Sequence, residues 1–318
     1  MDHSSPHEPF RSGFIALVGR PNVGKSTMLN RFVGQKVAIT SPVAQTTRRR
    51  LRGILTLPEA QLIFVDTPGI HKPHHLLGER LVNSARIAIG EVDLVLLLMN
   101  GASAPGRGDA FIVDLLRHCH SPVHVALNHW DLVNGPQIQE QTASYRRLLS
   151  GSAEEFGVTW PLHPVSALTG FGMEDLLTAL VHDLPAGPPL YPTDAVCDQS
   201  EETLLSELIR EQVLLQTREE VPHSVAVQID KIDESSLPSS KSGLRMAVLA
   251  TVFVERQSQK VILIGRGGQM LKSIGSGARR QMEALLDCPV YLELFVKVVP
   301  NWRRSSTRLA ELGYGSES

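Results

Sequence analysis

Cysteine is scarce in this sequence. Three stand in 318 residues, at Cys119, Cys197 and Cys288, without Cys-x-x-Cys spacing. That scatter argues against a zinc ribbon or a disulfide framework and fits inert thiols in a reducing compartment. Basic charge is not in excess either: 31 Lys and Arg face 33 Asp and Glu, for a formal charge of -2. A nucleic-acid contact must therefore be local rather than spread over the surface. No apolar run approaches the roughly 20 residues of a membrane-spanning helix. The most continuous, Leu94 to Met99, has strand length. The opening MDHSSPHEPFRSG lacks the apolar stretch of a secretory signal and carries two acids, so residues 1–12 are expected to be a short disordered tail on a soluble cytoplasmic protein. No internal repeat is visible.

What is present suits two domains. A length of 318 with 42% hydrophobic content exceeds one typical domain and can fill two cores. From residue 14 to about 185, the apolar runs FIALVG, QLIFVD, DLVLLLM, PVHVAL and a weaker WPLHPVS alternate with helix-length segments. Near-continuous Val/Ile/Leu runs suit strands buried on both faces. They predict an α/β domain with a mostly parallel sheet and its binding loops at the carboxyl ends of the strands. The proline-rich LPAGPPLYPTD can continue neither a helix nor a central strand. The expected division is a nucleotide-binding domain over 13–185, a linker over 186–198 and a smaller α+β domain over 199–318. In the latter, EETLLSELIREQVLLQTREE reads as a helix, with SVAVQID, RMAVLATVFVE and PVYLELFVKVV as strands.

GRPNVGKS follows the first strand and precedes a helical segment. Such a glycine-containing loop turns backbone N–H groups onto phosphate oxygens, and the next helix adds its positive end. Gly19, Arg20, Pro21, Asn22, Val23, Gly24, Lys25, Ser26 and Thr27 are expected to cradle the nucleotide. Lys25 would neutralise the β/γ-phosphates and the Ser26 hydroxyl would bind Mg²⁺. Asp66, Thr67, Pro68 and Gly69 end the strand QLIFV. Asp66 would act on Mg²⁺ through its water shell, and the Gly69 N–H would meet the γ-phosphate. Within QTTRR, Thr47 (with Thr46 as fallback) would complete the Mg²⁺ shell when the γ-phosphate is present. Lys25, Thr47 and Gly69 are the catalytic candidates. In NHWD, the Asp131 carboxylate can accept from guanine N1–H and N2–H₂, a donor pair that adenine lacks. Asn128 would brace the loop, and His129 stands where an Asn-Lys-x-Asp loop has lysine. Ser166, Ala167 and Leu168 could offer a backbone N–H to the guanine oxygen. Ile70 follows DTPG in place of a water-orienting glutamine, so slow intrinsic hydrolysis is expected. The run His71 to His75 reads as a solvated loop, because its spacing suits no zinc geometry.

In the second domain, Gly265, Arg266, Gly267 and Gly268 form a G-x-x-G turn, which lets the backbone approach a nucleic-acid strand. Lys272, Arg279, Arg280 and Arg266 could meet phosphates. Leu271, Ile274, Ala278, Met282 and Leu285 recur at helical spacing and read as core. Gly275 and Gly277 inside that helix each cost up to about 1 kcal/mol relative to alanine.

The order GRPNVGKS, TT, DTPG, NxxD, SA resembles a translation-factor-class GTPase. With QTTRR, DTPGIHKP, the proline-rich stretch and GRGG, the chain from about Gly13 to Tyr314 resembles the Era family of bacterial GTPases. The resemblance implies a P-loop GTPase domain followed by a type II KH domain. It implies GTP/GDP with Mg²⁺ as ligands, and K⁺ through Asn22 by likeness to related GTPases. As partners it implies 16S ribosomal RNA near its 3′ end, assembly of the 30S subunit, and peripheral association with the inner membrane face. A monomer is expected. The alternative is an RNA-binding assembly module whose nucleotide switch is weakened, as the missing lysine suggests.

Overall fold

The structure is a computed structural model that describes residues 9–43, 51–67, 69, 89–156, 159–236, 244–305, 307 and 312; elements are numbered in chain order among these. Thr46, Thr47, Pro68, Ile70 and His71 to His75 lie outside the described residues. The chain divides into two compact units, Met1–Val37 with Thr47–Asp198, and Ala38–Thr46 with Gln199–Ser318.

In the first unit, β1 (Arg11–Gly19), β2 (Leu51–Thr56), β3 (Ala60–Asp66), β4 (Leu94–Asn100), β5 (Val123–Asn128) and β6 (Leu162–Pro164) form one sheet in the order β2-β3-β1-β4-β5-β6. Every pairing is parallel except β2 with β3. Ile15 to Val18 and Leu94 to Met99 have no solvent exposure. Each such Leu, Ile or Val side chain contributes roughly 1.5–3 kcal/mol of transfer free energy, which is why these runs are almost purely aliphatic. β2 belongs to none of the apolar runs noted from sequence. It is an edge strand, and its Gly53 leaves room for helix α1 (Lys25–Val33): a Cβ there would lie 2.4 Å from Leu29 Cδ1. α1 buries Met28, Leu29 and Phe32, and Phe32 stacks on Phe64 with ring centroids 4.6 Å apart. It ends at Gly34, whose φ of 80° suits the left-handed stop of a helix. Among the described residues, helices α2 (Arg107–Leu116), α3 (Gly135–Phe156) and α4 (Met173–Asp183) also belong to this unit.

The proline-rich segment is held against this unit. The side chain of buried Gln61 donates to the Tyr191 carbonyl at 2.9 Å and accepts from the Leu190 and Tyr191 N–H groups at 2.7 and 2.8 Å. Isolated bridges join Arg11 to Ala186 and Gly53 to Cys197.

The second unit runs α5 (Glu201–Gln216), α6 (Val221–Ser224), β7 (Ala226–Ser236), β8 (Leu244–Val254), α7 (Gln257–Ile264), α8 (Gln269–Leu286) and β9 (Val290–Val298). Its sheet has the order β7-β8-β9, antiparallel then parallel. The Ser200 side chain caps α5 by accepting from the Thr203 N–H. The apolar run Val261 to Ile264 forms the last turn of α7. On α8, Ile274, Ala278 and Met282 are fully buried in the core and Leu285 packs against it, while Leu271 lies half-buried outside it. Gly277 has a packing reason: a Cβ there would lie 2.2 Å from Gln212 Oε1 of α5.

Candidate functional site

Parallel register brings the sequence motifs to one edge of the first sheet. β1 ends at Gly19, β3 at Asp66 beside Leu17, and β4 and β5 end together, Asn100 paired with Asn128. The loops that leave these ends therefore share one rim.

The phosphate loop is shaped by two left-handed residues, Asn22 at φ 63° and Gly24 at φ 94°. Gly24 is also constrained from outside, since a Cβ there would lie 2.2 Å from Asn128 Nδ2. Lys25 is buried and its ammonium donates to the carbonyls of Gly19 and Arg20 at 3.1 and 3.0 Å. Burial pushes its pKa down to about 8, while the Asp66 carboxylate pulls the other way. A buried ammonium held by carbonyl oxygens is a site that an anionic ligand completes. The Ser26 hydroxyl donates to Asp66 Oδ2 at 3.2 Å. This hydroxyl and fully buried carboxylate are hard oxygen donors of the kind Mg²⁺ takes, so the pair fits that ion. Thr67 anchors the end of β3 by donating to the Leu17 carbonyl at 2.7 Å. Gly69 lies against the loop so closely that a Cβ would sit 2.8 Å from Pro21 N.

Asn128, almost fully buried, joins three loops. Its Nδ2 donates to the Val23 carbonyl at 2.9 Å, and its Oδ1 accepts from the Ala167 N–H at 2.9 Å. His129 is left-handed at φ 63°, with Nδ1 3.1 Å from Asn100 Oδ1. Asp131 is exposed on the rim, where a ligand can reach it. Ser166 is buried and accepts through Oγ from the Thr169 N–H, while Leu168 is 72% exposed. Thr47 and Pro68 lie outside the described residues.

Three supporting residues were not anticipated from sequence. Asp109 caps α2 by accepting from the Gly106 N–H and pairs with Arg20 Nε at 2.8 Å, tying the phosphate loop to that helix. Arg31 Nε donates to the Ala167 carbonyl at 3.0 Å, and its guanidinium also reaches the Leu168 carbonyl. Asn100 was legible in principle, since it ends the strand beside Asn128.

In the second unit, Gly265, Gly267 and Gly268 have φ of 70°, 59° and 79°, and a Cβ at Gly267 or Gly268 would meet nothing within 4 Å. The turn thus offers a bare, open backbone between α7 and α8. Arg266, Lys272, Arg279 and Arg280 are all exposed on it or on α8. The helix adds its positive N-terminal end beside the turn.

The chain as a whole is similar to known proteins over nearly its full length. Residues 14–129 match the family described as 50S ribosome-binding GTPase, and residues 220–303 the KH domain. The chain is 57% identical to GTPase Era of Nostoc sp. over 99% of its own length and 93% of that protein. It is 53% identical to GTPase Era of Synechocystis sp. over 97% and 94%. Among solved structures it resembles Era in complex with MgGDPNP and nucleotides 1506-1542 of 16S ribosomal RNA, with TM-score 0.85, 37% identity and coverage of 96% and 99%. A variant of Aquifex aeolicus Era bound to GDP.AlF4- gives 0.84, 36%, 96% and 100%.

Proposed function

The chain belongs to the Era family of GTPases, and we propose that its nucleotide state gates the binding of its KH domain to small-subunit ribosomal RNA. As a member of that family it is a GTP-hydrolysing enzyme. Guanine nucleotide is assigned to the rim formed by Gly19–Thr27, Asp66–Gly69, Asn128–Asp131 and Ser166–Leu168. The observation that carries this assignment is Asn128, one buried amide bonded to both the phosphate loop and the 166–168 loop.

Each residue then has a task. The loop N–H groups and Lys25 hold the phosphates, and Ser26 and Asp66 hold Mg²⁺, which when bound neutralises phosphate charge. Asp131 accepts from the guanine donors. Thr47 and Gly69 report the γ-phosphate. With isoleucine at position 70, no side chain there orients the attacking water, so hydrolysis is slow. Asn22 is assigned a potassium ion beside the phosphates. GTP hydrolysis is then faster in KCl than in NaCl at equal ionic strength, and equal rates overturn that assignment.

The solved Era relative holds 16S ribosomal RNA. By that likeness the GRGG turn clamps RNA from the 3′ end of the small-subunit rRNA, with Arg266, Lys272, Arg279 and Arg280 at its phosphates, and the protein assists 30S assembly. It is assigned to the cytoplasm as a monomer. Peripheral contact with the inner membrane face is assigned by likeness to the family; among the described residues no helix is long and apolar enough to cross a bilayer.

Isothermal titration with GDP and ATP tests the nucleotide assignment. GDP is expected to bind and ATP not to compete. Absence of GDP binding at millimolar concentration would sink it in favour of an RNA-binding module without a switch.

A further inference from the structure

His129 is the one departure in the base-reading loop, and its surroundings fix which face of the ring meets the nucleotide site. Asn100 Oδ1 already accepts from the Ala102 N–H at 3.1 Å, so that atom is an acceptor. His129 Nδ1, 3.1 Å from the same oxygen, must therefore be the N–H donor of the pair. The backbone at His129 is left-handed, and the ring reaches the phosphate loop at Gly24. Its second nitrogen, Nε2, lies 3.6 Å from where a Cβ of Gly24 would stand. In the neutral ring with Nδ1 protonated, this Nε2 is a bare lone pair. A lysine would place a cation with N–H donors here, facing a loop built to hold phosphate.

The described groups that bear on the ring belong to its own loop, to β4 and to the phosphate loop, with the neutral Asn128 amide beside Gly24. Asp131, on its own loop, acts on it electrostatically. Asn100 at the end of β4 is neutral, and Gly24 of the phosphate loop has no side chain. Lys25 directs its ammonium away, to the Gly19 and Arg20 carbonyls. Burial holds the imidazole below its ordinary range, with Asp131 pulling upward. The free protein at neutral pH therefore carries the uncharged ring.

We propose that His129 makes guanine-nucleotide affinity proton-dependent: binding draws a proton onto Nε2, and the resulting imidazolium supplies the cation that lysine supplies in an Asn-Lys-x-Asp loop. This rests on the guanine-nucleotide assignment above. The phosphates of the bound nucleotide favour the charged ring, so the affinity for GDP rises as pH falls. The expected effect is roughly tenfold or more in dissociation constant between the uncharged and charged forms, the size of a charge-assisted interaction.

The test is calorimetric titration of the full chain with GDP between pH 5.5 and 7.5, in two buffers of different ionisation enthalpy. Natural protein, His129→Lys and His129→Gln are compared. Titration of GDP itself and of Lys25 is common to all three, so only differences among them count. The natural protein is expected to take up more protons than either variant, and its affinity to move from near that of His129→Gln at pH 7.5 toward that of His129→Lys at pH 5.5. Proton uptake and pH slope equal to those of His129→Gln would overturn the proposal while leaving the guanine site standing. No GDP binding by any of the three proteins at any pH would instead overturn the site assignment, and the proposal with it.

Discussion

The side-chain amide of Asn128 lies 2.9 Å from the carbonyl oxygen of Val23, and this bond ties the base-reading loop to the phosphate loop. The same amide accepts from Ala167 N–H. Replacing Asn128 with alanine strands a buried carbonyl and a buried N–H together, each costing about 1–3 kcal/mol. GDP affinity of Asn128→Ala is expected to fall at least about tenfold, since that ratio corresponds to about 1.4 kcal/mol. Calorimetric titration reads the loss. Unchanged affinity would mean that the loops hold their places without the bridge.

Asp131 is exposed and carries two acceptor oxygens, the complement of guanine's paired donors. Asparagine at this position keeps one acceptor and adds a donor. That set matches a base with a carbonyl at position 2, such as xanthine. Asp131→Asn is therefore expected to lose GDP affinity and to gain affinity for xanthosine diphosphate. Competition between the two diphosphates measures the exchange. A variant that still prefers GDP would show that guanine is read elsewhere.

The segment Ala38–Thr46 groups with the second unit, although the chain on either side of it groups with the first. Within the second unit, fully buried Glu211 of α5 accepts from the Thr40 N–H at 2.7 Å and the Thr40 hydroxyl at 3.2 Å. Gln281 of α8, the helix that follows the GRGG turn, donates to the other carboxylate oxygen at 2.7 Å. Thr47 is only a few residues further along the chain. Glu211→Ala removes the acceptor shared by the Thr40 N–H and the Gln281 amide and is expected to cost about 1–3 kcal/mol in unfolding free energy. It is also expected to shrink the difference in RNA affinity between the GTP-analogue and GDP states. Chemical denaturation and RNA binding in both states check the two parts. A full nucleotide effect in the variant would exclude this path.

The sequence made the chemistry of the first unit legible because its signals are local. A glycine-containing loop between a strand and a helix, or an Asp at a strand end, declares itself within a few residues. The supports that need distance did not show. Arg20 meets Asp109 only because α2 begins beside the phosphate loop, and Gln61 meets Tyr191 far along the chain. β2 escaped notice because an edge strand is buried on one side less and carries a mixed pattern. The run Val261 to Ile264 has no periodicity of its own: four apolar residues fit the end of a helix as well as a strand, and the helix stops at Gly265, whose φ is 70°. Gly277 looked like a cost in the helix until its closeness to Gln212 supplied the compensation.

Gating of RNA binding by nucleotide state is tested most directly by one measurement. The dissociation constant for an RNA carrying the 3′ end of 16S rRNA is determined with Mg²⁺ and either a non-hydrolysable GTP analogue or GDP. Allosteric coupling of 1–3 kcal/mol corresponds to about 5- to 150-fold. Binding is expected to be at least about fivefold tighter with the GTP analogue. Equal dissociation constants in the two states would contradict gating.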